Sequence, residues 1–126
     1  MAFAAAAMLA GCGIGAGAER DCEEMWESLS ASVDGVIAVD FECRRSFGDS
    51  GESGTVTVTA STQEQAVAVM EDALRAFATS AEVDDASGPV LVFVSEDGEI
   101  RVGPGLLGFN GTPAMSEVRE HYGIQP

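Results

Sequence analysis

The sequence predicts an α+β domain of order αββαββα, with a four-stranded, largely antiparallel sheet and helices on one face. Three observations predict it. Apolar residues recur at helical spacing in two separate stretches, residues 22–33 and 66–77. Each stripe is followed by two short runs of strand character, alternating or continuously apolar. Turn-forming residues separate the members of each pair, which favours hairpins and so antiparallel pairing. The repeated order suggests an internal duplication of an αββ unit, begun near Asp21 and again near Thr62, although residue identity between the halves does not show one.

The first helix is expected over residues 21–33. Cys22, Met25, Trp26, Leu29 and Val33 form its apolar stripe, for core packing rather than a ligand pocket. Asp21, Glu23 and Glu24 suit the first turn, where the helix dipole favours acids, and Asp34-Gly35 ends it. A strand over residues 36–44 places Ile37, Val39, Phe41 and Cys43 inward and Ala38, Asp40 and Glu42 outward. Residues 45–54 are expected as a polar loop. Their Gly-Asp-Ser-Gly string also surrounds serine-protease nucleophiles, but it lacks a matching His and Asp here. Residues 55–59 form a second strand that buries Val56 and Val58.

Ser61, with Glu64 three residues on, fits a capping box for the long second helix. Ala66, Val67, Met70, Ala73, Leu74 and Phe77 line that helix's buried face, and Glu71 can pair with Arg75 one turn later. An acidic loop follows, with Glu82, Asp84 and Asp85 as weak candidates for a calcium ion. The regular ligand spacing of a calcium loop is missing, which favours solvated charge. Residues 90–94, Val-Leu-Val-Phe-Val, are apolar on both faces and should be the most buried strand. A turn at residues 95–98 leads to a short fourth strand over residues 99–102.

The glycine-rich stretch 103–111 carries Leu106, Leu107 and Phe109. It lacks the Lys of a phosphate-binding loop, so its apolar residues either fold onto the core or form a patch for a partner or ligand. Thr112 is expected to cap the last helix, with Pro113 as its first residue and Met115, Val118 and Tyr122 inward. His121, the only histidine, is expected at the surface of the final turn.

Composition narrows the function further. The chain has 126 residues and a formal net charge of −15, with no lysine among its six basic residues. Such a balance opposes binding to nucleic acid or to anionic lipid. It suits cations, basic proteins or neutral ligands, or an acidic module adapted to salt. A single histidine and no recognisable acid–base pair argue against an enzyme, a hydrolase included, and no cofactor motif is present.

The N-terminus supplies the compartment. An uncharged apolar run over residues 1–9 ends in Leu9-Ala10-Gly11-Cys12. That ending resembles the lipobox of bacterial lipoproteins. The resemblance implies a signal peptide over residues 1–11, lipidation of Cys12, and attachment to the extracytoplasmic face of the cell membrane. No basic residue precedes Cys12, as a secretory leader would require, so the true translation start is expected upstream of Met1. Residues 12–19 would be a flexible tether and residues 20–126 a single domain. With Cys12 carrying lipid, Cys22 and Cys43 form an even pair in an oxidising compartment, where a disulfide is expected. In a reducing compartment the alternative is two buried thiols. The predicted order of elements also resembles the BON domains of bacterial envelope proteins, in topology only.

Overall fold

A computed structural model describes residues 14–46 and 49–126. Leu9, Ala10, Gly11 and Cys12 lie outside the described residues. Among the described residues, three helices and a four-stranded mixed sheet follow in the order helix, strand, strand, helix, strand, strand, helix. Helix α1 spans Ile14–Ala31, and strands β1 and β2 span Val36–Ser46 and Asp49–Val58. Helix α2 spans Gln63–Thr79, strands β3 and β4 span Val90–Ser95 and Arg101–Val102, and helix α3 spans Met115–Tyr122. A 3₁₀ turn, Pro104–Leu107, lies between β4 and α3. Among the described residues, no helix is long and apolar enough to cross a membrane.

Helix α1 begins seven residues before the expected Asp21, so residues 14–19 of the expected tether are helical. Alanines alternate with the glycines there and offset their low helical propensity. Downstream, Cys22 and Trp26 from α1 join Met70, Ala73, Leu74 and Phe77 from α2 in one core. Met115 and Val118 of α3 enter the same core, which faces one side of the sheet. The other side carries the exposed Asp40, Glu42, Ser53, Thr55 and Arg101.

Strand order is β1-β2-β3-β4. Both hairpins are antiparallel, but β2 and β3 run parallel, with Ser53 opposite Val90 and Val58 opposite Ser95. The sheet is therefore largely antiparallel, as expected, with one parallel pairing at its centre. Helix α2 carries the chain from the end of β2 back to the start of β3, and such a crossover yields parallel neighbours.

Two corrections concern β1 and β2. Ile37 was expected inward, yet it is 47% exposed. The pairing register shifts between Val36 and Ala38, so Ile37 is the extra residue of a bulge. A bulge breaks the two-residue alternation, turning Val36 to the core in its place. Residues 45–54, expected as a loop, are mostly strand, because the ladder continues through Arg44–Gly51 to Ser46–Asp49. Strand propensity is weak in this run, and pairing along a long β1 overrides it.

Gly54 shows why a small residue belongs there. It lies opposite Phe41, and a Cβ added at Gly54 would stand 2.5 Å from the Phe41 ring. That ring cannot easily retreat. It stacks on Trp26 at 5.5 Å between centroids and meets Phe77 edge-on at 6.5 Å. Gly54→Ala is expected to cost about 2 kcal/mol through overpacking. Thermal unfolding and the emission of Trp26, the one tryptophan of the chain, report it. An unchanged melting temperature would show that the ring has room to move.

Cys22 and Cys43 form a disulfide that ties α1 to β1, with Cα atoms 6.2 Å apart. Cys43 faces inward on β1 as expected and is 2% exposed. Its backbone N–H donates to Glu23 Oε2 at 3.1 Å, so α1 also closes part of the sheet edge through a side chain.

Helix α2 is capped one residue later than expected. Thr62 Oγ1, not Ser61, accepts the Gln65 N–H at 3.1 Å, while Gln65 Oε1 accepts the Ser61 N–H at 2.7 Å. Gln65, rather than Glu64, thus reaches back past the cap, to the N–H of the residue before it. Strand β3 is deeply buried over residues 93–95, although Val90 at its start is 60% exposed. The β3–β4 turn is held by Asp97, whose Oδ1 accepts from Ser95 Oγ and the Glu99 N–H. Those donors, Ser95 first, hold the Asp97 carboxyl below its ordinary range. Strand β4 is shorter than expected, two residues instead of four.

Candidate functional site

Helix α3 and the stretch before it build a surface hollow. Helix α3 starts at Met115 with Ala114 as its cap, rather than with Thr112 and Pro113. Its first free N–H groups are satisfied by the loop after α2. Met115 N–H donates to Ser87 O at 2.7 Å and Ser116 N–H to Asp85 O at 2.9 Å. Glu117 Oε1 takes the Ala114 N–H at 2.8 Å. Backbone carbonyls thus do what a side-chain cap was expected to do.

The opposite wall comes from the glycine-rich stretch. Gly108 closes the 3₁₀ turn at φ 97°, a left-handed conformation that glycine adopts without strain. The chain then turns back and lays Phe109 against α3. The Phe109 ring lies 4.7 Å from His121, and His121 meets Tyr122 edge-on at 4.6 Å. The Arg75 guanidinium stands 4.7 Å from the centre of the Tyr122 ring. His121 is therefore exposed, as expected, but it has aromatic partners that its spacing did not reveal.

Between these walls is a hollow of about 440 Å³ lined by Gly108, Phe109, Asn110, Glu117, Glu120 and His121. A second hollow of about 330 Å³ lies on the other side of Glu120, against Arg119, Gly123, Ile124 and Gln125. An aromatic ring, an imidazole, an amide and two carboxylates are chemically suited to a cationic group on an apolar stem. Of the expected patch, Phe109 lines the hollow. Leu107 packs partly against the core, and Leu106 is 54% exposed.

Tyr122 closes the inner end of the aromatic row. Its hydroxyl donates to Glu71 Oε2 at 2.9 Å, so Glu71 and Arg75 meet at this ring rather than simply with each other. Burial, then the bond to Glu71 and its charge, push the Tyr122 pKa up from 10.0 to about 12, against a smaller opposing effect of Arg75. Because the folded value is raised, the stabilising contribution of the neutral phenol is complete below pH 10. It is lost as pH rises from there through about 12. Ultraviolet titration of this single tyrosine should find the raised value, and Glu71→Gln should move it back toward 10.0.

In the acidic loop the Asp85 carboxylate is turned to other work. Asp85 Oδ1 accepts from Arg119 at 2.6 Å, and Glu82, Asp84 and Asp85 do not converge. Among the described residues, the group close enough to share an ion is Cys22, Cys43 and Glu52, with both sulfurs in the disulfide.

Arg119 is the residue that the sequence did not single out. It lies on α3 and is 7% exposed. Its Nε donates to Ala78 O at 2.9 Å, and one terminal nitrogen donates to Ser80 O and Val83 O, each at 2.8 Å. It thereby fixes α3, and with it the hollow, against the C-terminal end of α2. A lone arginine in an acidic helix carries no sequence signal for this role. No protein-family model matches the chain, and no curated protein or solved structure matches it.

Proposed function

We propose that this chain is a lipid-anchored domain on the extracytoplasmic face of a bacterial membrane. Its role is non-catalytic binding of a basic protein segment or a small cationic ligand. The observation that carries the binding role is the hollow in which Phe109 and His121 sit beside Glu117 and Glu120. The Leu9-Ala10-Gly11-Cys12 ending supports the anchor, and a disulfide suits an oxidising compartment. A charge of −15 would draw a basic partner toward the surface and speed its encounter.

The test has two arms. In cells that process lipoproteins, Cys12 should carry lipid, and Cys12→Ser should abolish partition into detergent. For the hollow, an arginine-rich peptide should bind the purified domain, and Phe109→Ala with Glu120→Gln should weaken it by roughly tenfold or more. Equal binding by the variant would reject the hollow as the site. A rise in melting temperature with calcium alone, insensitive to both changes, would instead favour the cation-binding reading of the acidic surface.

A further inference from the structure

We infer that Asn110, followed by Gly111, is a self-modifying site whose side-chain amide is lost to water, which places a further carboxylate in the hollow beside Glu117 and Glu120. Asn110 is the one asparagine of the chain, and it lines that hollow. Asn110 and Gly111 are both exposed and lie between the 3₁₀ turn and α3, outside any helix or strand. With glycine next in the chain, no β-carbon bars the Gly111 nitrogen from the Asn110 side chain, provided that the backbone there is free to rotate. Two features leave it free. Gly111 stands at φ 75°, with nothing within 4 Å of the place a Cβ would take. Among the described residues, the Gly111 N–H has no acceptor and the Asn110 amide has no partner.

The β3–β4 turn shows the opposite arrangement around a related pair. Asp97 precedes Gly98, which also has a positive φ, of 78°. There the Gly98 N–H donates to Ser95 O at 2.9 Å, and Asp97 Oδ1 accepts from Ser95 Oγ and the Glu99 N–H. A nitrogen tied in this way does not turn to attack the side chain before it, and a carboxylate has no amine to release. The fold thus locks one such pair and leaves the other open.

The step needs water alone. The Gly111 N–H gives its proton to hydroxide, and the nitrogen attacks Asn110 Cγ. An N–Cγ bond forms, the Cγ–Nδ2 bond breaks, and ammonia leaves with a proton from solvent. Water then opens the cyclic imide. Opening at Cγ gives aspartate, and opening at the backbone carbonyl gives its β-linked isomer. In sum one water enters and one ammonia leaves, with no oxidant or reductant. Either product carries a carboxylate where the amide stood, so the chain becomes one unit more negative than −15. That the added charge strengthens capture of a cation rests on the binding role proposed above.

The full chain, kept in mildly alkaline buffer at physiological temperature, should release ammonia and split on anion exchange into the parent and more acidic forms. Peptide mapping should place the change at Asn110, and an isoaspartyl methyltransferase should accept the β-linked product. Gly111→Ala should slow the loss at least about tenfold, since a Cβ beside the nitrogen narrows the conformations it can reach. Asn110→Gln, which leaves the backbone untouched, should abolish it. A folded chain that keeps the Asn110 amide while the urea-unfolded chain loses it would overturn the site. So would amide loss confined to Gln63, Gln65 or Gln125. For the hollow, Asn110→Asp should bind the arginine-rich peptide about two- to fivefold tighter than the parent. Equal binding would overturn the charging of the hollow. Binding by neither form would overturn the binding role itself and leave the modification of Asn110 standing.

Discussion

Arg119→Ala is expected to destabilise the domain by about 3 kcal/mol, lowering Tm by roughly 12 °C or more. The guanidinium meets three backbone carbonyls, those of Ala78, Ser80 and Val83, and the Asp85 carboxylate. Hydrogen bonds from a charged donor contribute about 1.5–3 kcal/mol each, and carbonyls left without a partner in a buried place cost more than the bond itself returned. The ion pair is the lesser part. The Asp85 side chain is 74% exposed, so solvent screens it, and Asp85→Asn should cost less than about 1 kcal/mol. Arg119→Lys should recover only part of the loss, because a compact ammonium cannot span acceptors placed for a planar fork. Thermal unfolding of the three variants decides the matter. A cost for Asp85→Asn equal to that of Arg119→Ala would show that the ion pair, not the carbonyl cluster, holds α3 in place.

Removing the disulfide with Cys22→Ala and Cys43→Ala together should cost about 3 kcal/mol. The bridge closes a loop across a sequence separation of 21, and in the chain-entropy account that constraint on the unfolded state has this size. Denaturant unfolding of oxidised wild type against the double variant measures it. A difference below about 1 kcal/mol would mean that native packing of α1 on β1 holds these segments without the covalent link. Both sulfurs lie in the core, so the alanines also lose some packing, and the measured cost should not fall short of the entropic value.

The order αββαββα and the main core stripes were legible because periodicity reports burial directly. Trp26, Phe77 and Phe93, each wholly buried, stand where their spacing puts them. Three features escaped for distinct reasons. The parallel junction depends on where α2 returns the chain, which no local pattern encodes. The strand character of residues 49–54 was hidden by glycines whose value lies in what faces them, Arg44 across from Gly51 and Phe41 across from Gly54. Ile37 looked like a core residue until one extra position in β1 turned it outward. The hollow was only half readable. Phe109 stood out as apolar in a polar setting, but its meeting with His121 depends on the turn at Gly108 and on the docking of α3 by Arg119.

The parallel junction also bears on how the chain matures as it emerges. Residues 14–58 contain a helix and a finished hairpin, yet β2 keeps one side of its ladder open until Val90 arrives, 37 positions after its partner Ser53. A nascent polypeptide growing from its N-terminus therefore exposes a bare Thr-Val-Thr-Val edge while the second half is still being made. Closing that distance is slower than zipping a hairpin, so this single seam sets the interval during which the edge stays open to pairing with another strand.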